Sequence, residues 1–323
     1  MSRAGAFVLC APAPRPAPEG LLTGMAQTAQ PEVKTRGRPG YSIWIVSLPG
    51  YPHSRAFEEV ALALHEAFAE LGFDAPIVTE AADITGVAIV LAAGVLPALN
   101  AALPENLIIY NFEQVQAGSP WMNQAYIDIL KRYPVWDYSQ RNIEALAAMG
   151  IKGVSLCGVG YTPGLTRIPH SLMQDIDVCF IGAVNDRRAA VLDDMSRHGL
   201  KLFVGQSLYG QERDAIFARS KIVLNLHHYE AQVFEIVRVS YLLANRICVV
   251  SETGFDLAME EPFLGGVGFT NFAQLTMGCR YLMQHPEERR RMAGAGFAAF
   301  SAMSQTPMLK GALARLPNWA RAS

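Results

Sequence analysis

The sequence predicts an α/β fold with two Rossmann-like, doubly wound domains that face each other across a cleft. Residues 175–252 alternate short apolar runs with amphipathic segments, and residues 41–157 repeat the same alternation. A stretch rich in glycine and proline, near residues 158–163, separates the two regions. Nearly continuous apolar strands that alternate with helices are typical of parallel sheets covered on both faces.

The second region predicts four strands and three helices in alternation. The strands are residues 177–182, 201–205, 222–228 and 247–252, and the helices are residues 186–199, 211–221 and 233–245. The first helix ends at Gly199, the residue type that most often stops a helix. A further strand at residues 267–269 and helices at residues 272–285 and from Pro286 onward complete the domain.

The first region predicts a similar order of elements. Strands are expected at residues 42–48, 87–91, 107–111, 135–137 and 154–157, and a helix at residues 139–150. Residues 57–72 carry apolar residues at helical spacing and end at a glycine, which predicts a strong amphipathic helix. We therefore expect a first domain at residues 41–172 and a second at residues 173–323.

Composition limits the function classes. The chain has 323 residues, of which 51% are hydrophobic, and a net charge of −2. Two cores are easily built from such a chain, whereas a general nucleic-acid-binding protein normally has a basic surplus. No apolar run reaches the length of a membrane span. Residues 1–40 lack periodicity and are rich in proline and alanine, which predicts a disordered leader, with Met1 or Met25 as the start.

The five cysteines are scattered and form no CxxC pair. Cys157, Cys179 and Cys248 lie within apolar strand patterns, where cysteine behaves as a small hydrophobic residue. This usage is typical of a reducing compartment, so we expect a cytoplasmic protein without disulfides or a zinc site.

Polar residues gather where the predicted strands end, and ligands bind at that edge of parallel sheets. Arg187 and Arg188 follow a strand and begin a helix, where guanidinium groups and free amide groups suit a diphosphate. The alternative is a solvated helix start. Asn185 either donates to the phosphate or caps the helix.

Four segments of the second region resemble those of the GT-B glycosyltransferases. They are FIGAVNDRR at 180–188, YGQERD at 209–214, KIVLNLHH at 221–228 and FEIVRV at 234–239. The link CGVGYTP at 157–163 and the strand DVCFIG at 177–182 resemble the junction between the two domains of that group. The chain is most similar to the "glycosyl transferases group 1" branch that includes CgeB-type spore-maturation proteins. The similarity covers the second half, and the first half is similar only in architecture.

The resemblance implies transfer of a sugar from a nucleotide-diphospho-sugar to an unknown acceptor, without a metal or other cofactor. The second domain would bind the donor and the first the acceptor. No Asp-x-Asp motif is present, which agrees with metal independence. The donor-binding residues would be Gly182, Asn185, Arg187, Arg188, His228, Glu235, Arg238 and Glu252.

His227 and His228 end a predicted strand, where a neutral imidazole can act as a base or bind a sugar hydroxyl. Side chains alternate along a strand, so only one of the two is expected to face the cleft. A structural role stays open for either. Together with Glu230 they do not predict a metal site, because adjacent histidines seldom converge on one ion.

Glu235 and Arg238 lie three residues apart on an otherwise apolar helix, and so on one face of it. They are expected to act in donor binding or to form an internal ion pair. Glu252 either contacts the donor sugar or caps the next turn.

The first region offers two candidate bases. His53 lies in the loop PGYPHS at 49–54, where Gly50 would permit close approach of a ligand, although a plain tight turn is equally compatible. Glu113 follows another strand. With His227, these two residues form the predicted catalytic set. Trp121, Trp136 and Tyr138 are expected to stack on a sugar ring or to belong to the core.

One departure from the family pattern favours a different function. Tyr241 stands where retaining members carry the glutamate that holds the nucleotide ribose, and Glu235 would have to replace that glutamate. The alternative is a non-catalytic GT-B-like binding or assembly protein. A nicotinamide-dependent oxidoreductase is disfavoured, since no G-x-G-x-x-G follows any predicted strand.

Overall fold

The first domain is built on a six-stranded parallel sheet. The computed structural model describes residues 38–99, 101–116, 119, 121–228 and 234–320. The sheet has the order β4-β2-β5-β6-β7-β8, and the short strands β1 and β3 pair separately. The elements are β1 (Arg38–Pro39), β2 (Tyr41–Ile45), α1 (Glu58–Glu70), β3 (Phe73–Asp74), β4 (Ile77–Val78), β5 (Val87–Leu91), β6 (Leu107–Asn111), α2 (Gln124–Arg132), β7 (Val135–Asp137), α3 (Gln140–Ala148) and β8 (Ser155–Leu156).

The second domain has a five-stranded parallel sheet with the order β10-β9-β11-β12-β13. Its helices lie on both faces, as the alternating pattern predicts. The elements are β9 (Ile176–Ile181), α4 (Asp186–Arg197), β10 (Leu202–Gly205), α5 (Gly210–Arg219), β11 (Ser220–Asn225), α6 (Ile236–Ala244), β12 (Val249–Glu252), α7 (Leu257–Glu260), β13 (Val267–Thr270), α8 (Leu275–Gln284) and α9 (Pro286–Ser301). The last helix, α10 (Gln305–Ala314), follows in the chain but packs on the first domain.

Each sheet separates two apolar layers. In β2, Ile43 and Ile45 pack toward α1, whereas Trp44 and Val46 pack in the layer that includes α2. In the second sheet, Cys179 lies in the layer of α6 and Val178 in the layer of α4 and α8. Side chains on a strand alternate between faces, so strands with no polar interruption bury both faces at once. The predicted fold of two doubly wound domains is confirmed.

Two chain segments cross between the domains side by side. Tyr161 N donates to Met303 O over 2.7 Å, and Gln305 N donates to Tyr161 O over 3.0 Å. Gly160 is required at this crossing, because a β-carbon there would lie only 2.7 Å from the backbone of Gln305. The two crossing segments are therefore hydrogen-bonded to each other.

After the second crossing the chain returns to the first domain. Leu309 and Ala312 of α10 and Leu316 beyond it are buried against α1 and β2. The domain boundary at residue 173 stays a prediction. The sequence analysis placed all residues after it in the second domain, whereas α10 packs on the first. The predicted leader, apart from residues 38–40, lies outside the described residues.

Within the part of the chain that the structure describes, no helix is long and apolar enough to cross a membrane. The four cysteines in this part (Cys157, Cys179, Cys248 and Cys279) are buried and unpaired.

Candidate active site

A cleft of about 510 Å³ lies between the two domains. The second domain contributes residues that follow the carboxyl ends of β9, β10 and β11, together with the start of α6. The first domain contributes the loop after β2, the beginning of α1 and the segments after β6 and β7. Among the predicted site residues, the cleft is lined by His53, Gly182, Arg188, His228, Glu235 and Arg238.

Arg188 is a buried cation of the cleft wall. Only 3% of its surface is exposed, and its guanidinium donates to Ala183 O over 2.7 Å, to His227 O over 3.3 Å and to Leu226 O. It also lies 3.4 Å from Glu235 Oε1. Burial lowers its pKa to about 10, so it remains charged at neutral pH. Arg188 thus ties the loops after β9 and β11 together and supplies a fixed positive charge to the cleft wall.

Arg238 is the more accessible cation. Its Nη1 lies 3.0 Å from Glu235 Oε2 and 3.5 Å from Asn225 Oδ1, and 30% of the side chain is exposed. Arg238 and Glu235 are separated by one helical turn, as the sequence predicts, and both face the cleft. Glu235 and Arg238 therefore form an ion pair and also line the cleft, two roles that the sequence analysis treated as alternatives.

The two adjacent histidines have different surroundings. His228 lines the cleft, and burial together with Arg188 lowers its pKa, which keeps the imidazole neutral at pH 7. His227 is buried, is not among the cleft-lining residues, and has its Nε2 3.0 Å from Glu252 O. The structure therefore places one histidine of the pair in the cleft and does not bring the predicted catalytic His227 there.

Three predicted donor-binding residues lie outside the cleft lining. Asn185 caps α4, accepting from Arg188 N over 3.0 Å and donating to His228 O over 2.9 Å. Arg187 forms a two-pronged ion pair with buried Glu252 and stacks over the ring of Phe272 at 4.1 Å. The polar atoms of Asn185, Arg187 and Glu252 form hydrogen bonds to other groups of the second domain. These three residues therefore connect loops of that domain.

His53 reaches across the cleft. Its Nδ1 lies 2.9 Å from the hydroxyl of Tyr209, which belongs to the second domain, and its ring packs edge-on against Tyr51. If Nδ1 carries the proton and donates to Tyr209, Nε2 is left as a hydrogen-bond acceptor. This is the tautomer that a proton-accepting histidine requires.

Glu113 lies beside the cleft wall and not in it. Its carboxylate packs against Gly94. A β-carbon at residue 94 would lie 3.0 Å from Glu113 Cδ and 3.2 Å from the ring of Trp121. Burial raises the pKa of Glu113 to about 7. Its neighbours Phe112 and Gln114 line the cleft, and Asn111 and Asn142 hold the segment by donating to Glu113 O over 3.2 Å each.

The raised pKa of Glu113 predicts a pH-dependent stability. The folded protein binds this proton more tightly than the unfolded chain does, so the free energy of unfolding should fall as pH rises from 4.5 to about 7. In Glu113→Gln the free energy of unfolding should fall less over this pH range than in wild type, by up to about 3 kcal/mol. Urea unfolding at pH 5 and pH 8 measures it, with the exposed Glu105→Gln as control. Parallel losses in wild type and Glu113→Gln would contradict the prediction.

A buried ion-pair network forms the floor of the cleft and joins the domains. Glu59 of α1 accepts two hydrogen bonds from Arg213 of α5, at 2.7 and 3.0 Å, and one from Arg167 at 2.6 Å. The hydroxyl of Tyr241 donates to Asp214 over 2.8 Å and accepts from Arg167 Nε over 2.9 Å. Tyr241, which the resemblance alone assigns to the position of a ribose-binding glutamate, is thus a member of this network.

Sequence reasoning missed several cleft residues. Glu59 and Arg213 lie 154 positions apart, and no local pattern connects them. Residues 206–208 line the cleft after β10, and the positive φ of Ser207 marks the sharp turn there. Gln114, which follows Glu113 and lines the cleft, was not among the predicted site residues. Several of these residues follow predicted strands. Many residues outside the cleft do so too, so this position alone does not identify them.

No group of three or more metal-ligating side chains occurs among the described residues. Among the same residues, the charged groups in the cleft lining are three arginines (Arg188, Arg213 and Arg238) and two glutamates (Glu59 and Glu235).

The chain is similar in sequence to one family model and to several viral proteins. Residues 171–305 match a family model described as glycosyl transferase-like. Uncharacterized protein L140 of Acanthamoeba polyphaga mimivirus is 29% identical over 159 residues, which cover 46% of this chain and 49% of that protein. Uncharacterized protein L138 of the same virus is 28% identical over 105 residues, 32% of this chain and 12% of that protein. The chain thus spans about half the length of the first of these relatives, and far less of the second.

Solved structures show the fold. The crystal structure of Anabaena HepE in complex with UDP and glucose has a TM-score of 0.58 at 10% identity, covering 86% of this chain and 100% of that one. WaaG, a glycosyltransferase of lipopolysaccharide biosynthesis, has a TM-score of 0.54 at 9% identity, covering 84% and 98%. The narrower similarity to CgeB-type proteins stays a prediction. Residues 171–305 thus match a glycosyl transferase-like family, and the chain as a whole has the two-domain GT-B fold.

Proposed function

We propose that this chain transfers a sugar from a nucleotide-diphospho-sugar to an acceptor hydroxyl in the interdomain cleft. One observation carries the proposal: Arg188, Arg238, Glu235 and His228 converge on the cleft beyond the carboxyl ends of β9 and β11. Parallel-sheet domains bind nucleotides at this edge. HepE, a protein of similar fold, was solved with UDP and glucose, which supports a donor of this class.

The diphosphate would lie against Arg238, with Arg188 behind it. Arg188 spends most of its donors on backbone carbonyls, whereas the half-exposed Arg238 has N–H groups available for phosphate oxygens. Gly182 keeps the approach open, because a β-carbon there would lie 3.5 Å from Arg238 Nη2 and 3.6 Å from Arg188 Nη1. A side chain at residue 182 would therefore occupy the space in front of both guanidinium groups.

Glu235 and His228 would bind the hydroxyl groups of the donor. Glu235 is held by both arginines, which fixes its carboxylate beside the expected diphosphate. A carboxylate accepts hydrogen bonds from ribose or sugar hydroxyl groups. With Tyr241 engaged in the floor of the cleft, Glu235 is the acidic residue on the second-domain side of the lining that can take the ribose role.

The reaction exchanges one bond for another at the anomeric carbon. The acceptor oxygen bonds to this carbon, the bond to the β-phosphate oxygen breaks, and the nucleoside diphosphate leaves with the electron pair. His53 Nε2 accepts the proton of the acceptor hydroxyl. The arginines stabilise the charge on the leaving group without a metal, so activity should persist in EDTA.

A cytoplasmic location is part of the proposal, since the four described cysteines are free and buried. The alternative is a non-catalytic binding protein. Measuring turnover of the nucleotide sugar distinguishes it from a transferase. Binding of a nucleotide sugar without release of the nucleoside diphosphate, over a wide panel of acceptors, would favour it.

Calorimetric titration with UDP, GDP, ADP and TDP and their sugar forms tests the donor site. We expect one base to be preferred, and Arg238→Ala to weaken that affinity about 10- to 100-fold, because a hydrogen bond to a charged group contributes about 1.5–3 kcal/mol. Arg197→Ala removes an arginine that is 73% exposed on α4 and should leave the affinity unchanged. Equal affinity in Arg238→Ala and wild type would remove Arg238 from the donor site.

A further inference from the structure

We propose that the acceptor is a neutral sugar, held against an aromatic wall of the first domain, and that Gln114 determines this specificity. The inference rests on the proposed function, since it assigns the other half of the same cleft. It concerns only the side of the cleft that the first domain provides.

Five aromatic rings cover this side of the cleft: Tyr51, Phe57, Phe112, Trp121 and Tyr138. The rings support one another, with Phe112 stacked on Tyr138 at 5.6 Å and 15° and tilted against Phe57 at 5.2 Å. Phe57, Phe112 and Tyr138 therefore form one contiguous surface, and Tyr51 and Trp121 line the same cleft. A surface of this kind favours a ligand with a flat or gently puckered apolar face.

Gln114 adds a polar group with no partner of its own. Its Oε1 is buried and accepts no hydrogen bond from any described residue, although the residue lines the cleft beside Phe112. A buried carbonyl oxygen without a donor is costly, so a native structure needs a reason to keep one. A ligand hydroxyl that donates to Gln114 Oε1 supplies the missing hydrogen bond.

The charge of this wall argues against an anionic acceptor. Among the described cleft-lining residues of the first domain there is no lysine or arginine, and the one acidic residue, Glu59, is already paired with Arg213 and Arg167. The carboxyl group of Glu113 lies directly behind the wall. A phosphate or carboxylate on the acceptor would find no cation here and would meet this acidic group.

A pyranose matches these features together. One face of the ring presents C–H groups, which pack on aromatic rings, while its edge presents hydroxyl groups, which reach Gln114 and His53. A phenolic acceptor would cover the wall, but its single hydroxyl group cannot donate to both Gln114 and His53. An extended polar chain would satisfy Gln114 but not cover the wall.

The experiment measures binding of simple saccharides to the full chain, with and without saturating nucleoside diphosphate. The probes are neutral methyl glycosides of glucose, galactose, mannose and N-acetylglucosamine. Methyl glucuronoside and mannose 6-phosphate serve as anionic counterparts, and phenol as an aromatic one. Saturation-transfer NMR and competition titration report contact and affinity for wild type, Gln114→Ala, Trp121→Ala, Gln114→Lys and the control Trp319→Ala, an exposed tryptophan outside the cleft lining.

We expect at least one neutral glycoside to bind, with an affinity about tenfold lower in Gln114→Ala and Trp121→Ala and unchanged in Trp319→Ala. Gln114→Lys should move the preference toward methyl glucuronoside by about tenfold, since it places a cation at the wall. This specificity change does not depend on the stability of the truncated variants.

Other outcomes would overturn the inference. Binding of only the anionic probes, of only phenol, or of no probe by a protein that still binds the donor would refute the neutral-sugar assignment and leave the proposed donor site standing. Loss of the donor site alone is visible in the nucleotide titration. The saccharide titration without nucleotide then still decides the acceptor class.

Discussion

Replacing Glu59 by alanine is expected to lower the free energy of unfolding by about 3–5 kcal/mol, the largest loss of stability predicted for this chain. Glu59 is 5% exposed and Arg213 8% exposed, so the substitution leaves a guanidinium buried beneath the cleft without its anion. Asp214, at 2.9 Å from Arg213, compensates only in part. Urea unfolding at pH 7 measures the loss.

Glu58→Ala provides the matched control for Glu59→Ala. Glu58 lies next in sequence, but it pairs with the exposed Arg55, so its loss should cost less than about 1 kcal/mol. The double variant Glu59→Leu with Arg213→Met should recover much of the stability, because it removes both charges together. A loss as small for Glu59→Ala as for Glu58→Ala would show that the network does not stabilise the contact between the domains.

Replacing His53 by glutamine is expected to lower the rate of sugar transfer about 100- to 10,000-fold, the usual contribution of a general base. The donor affinity should stay the same, since His53 lies on the first-domain side of the cleft, opposite the proposed donor site. Tyr209→Phe removes the hydroxyl that lies 2.9 Å from His53 Nδ1 and should cause a smaller loss. Single-turnover kinetics with saturating donor separate the chemical step from binding.

Two comparisons make the His53 prediction specific. His198→Gln changes an exposed histidine on the far end of α4 and should leave the rate unchanged. If His53→Gln retains full transfer activity while Glu113→Gln loses it, the proton acceptor is Glu113 and the assignment to His53 is wrong.

The fold could be predicted from the sequence because its signals are local. Strands β5, β6 and β7 begin and end at the predicted residues, since each is a short apolar run between polar turns. Helix α2 was not predicted: its amphipathic pattern spans only nine residues and begins at an unremarkable asparagine cap. The return of α10 to the first domain is a tertiary preference, and nothing in its own pattern indicates which core its apolar face joins.

The site could be predicted only in part, because a position at a strand end does not reveal where a side chain points. Arg187 and Arg188 look alike in the sequence, yet one pairs with Glu252, 65 positions away, and the other lines the cleft. Of the two histidines only His228 lines the cleft, but β11 ends at Asn225, so the predicted strand alternation is not the reason. Gln114 gave no signal at all, since a missing hydrogen-bond partner is visible only in the folded chain.

We expect the diphosphate of a nucleotide sugar to bind against Arg238, with Arg188 behind it and Gly182 leaving the space in front of both guanidinium groups open. The most direct test is release of nucleoside diphosphate from a panel of nucleotide sugars, comparing wild type with Gly182→Val, whose side chain would stand before both guanidinium groups. We predict that wild type consumes one nucleotide sugar and that folded Gly182→Val consumes none. Equal turnover in the two proteins, or neither binding nor turnover by folded wild type with any donor, would contradict the claim.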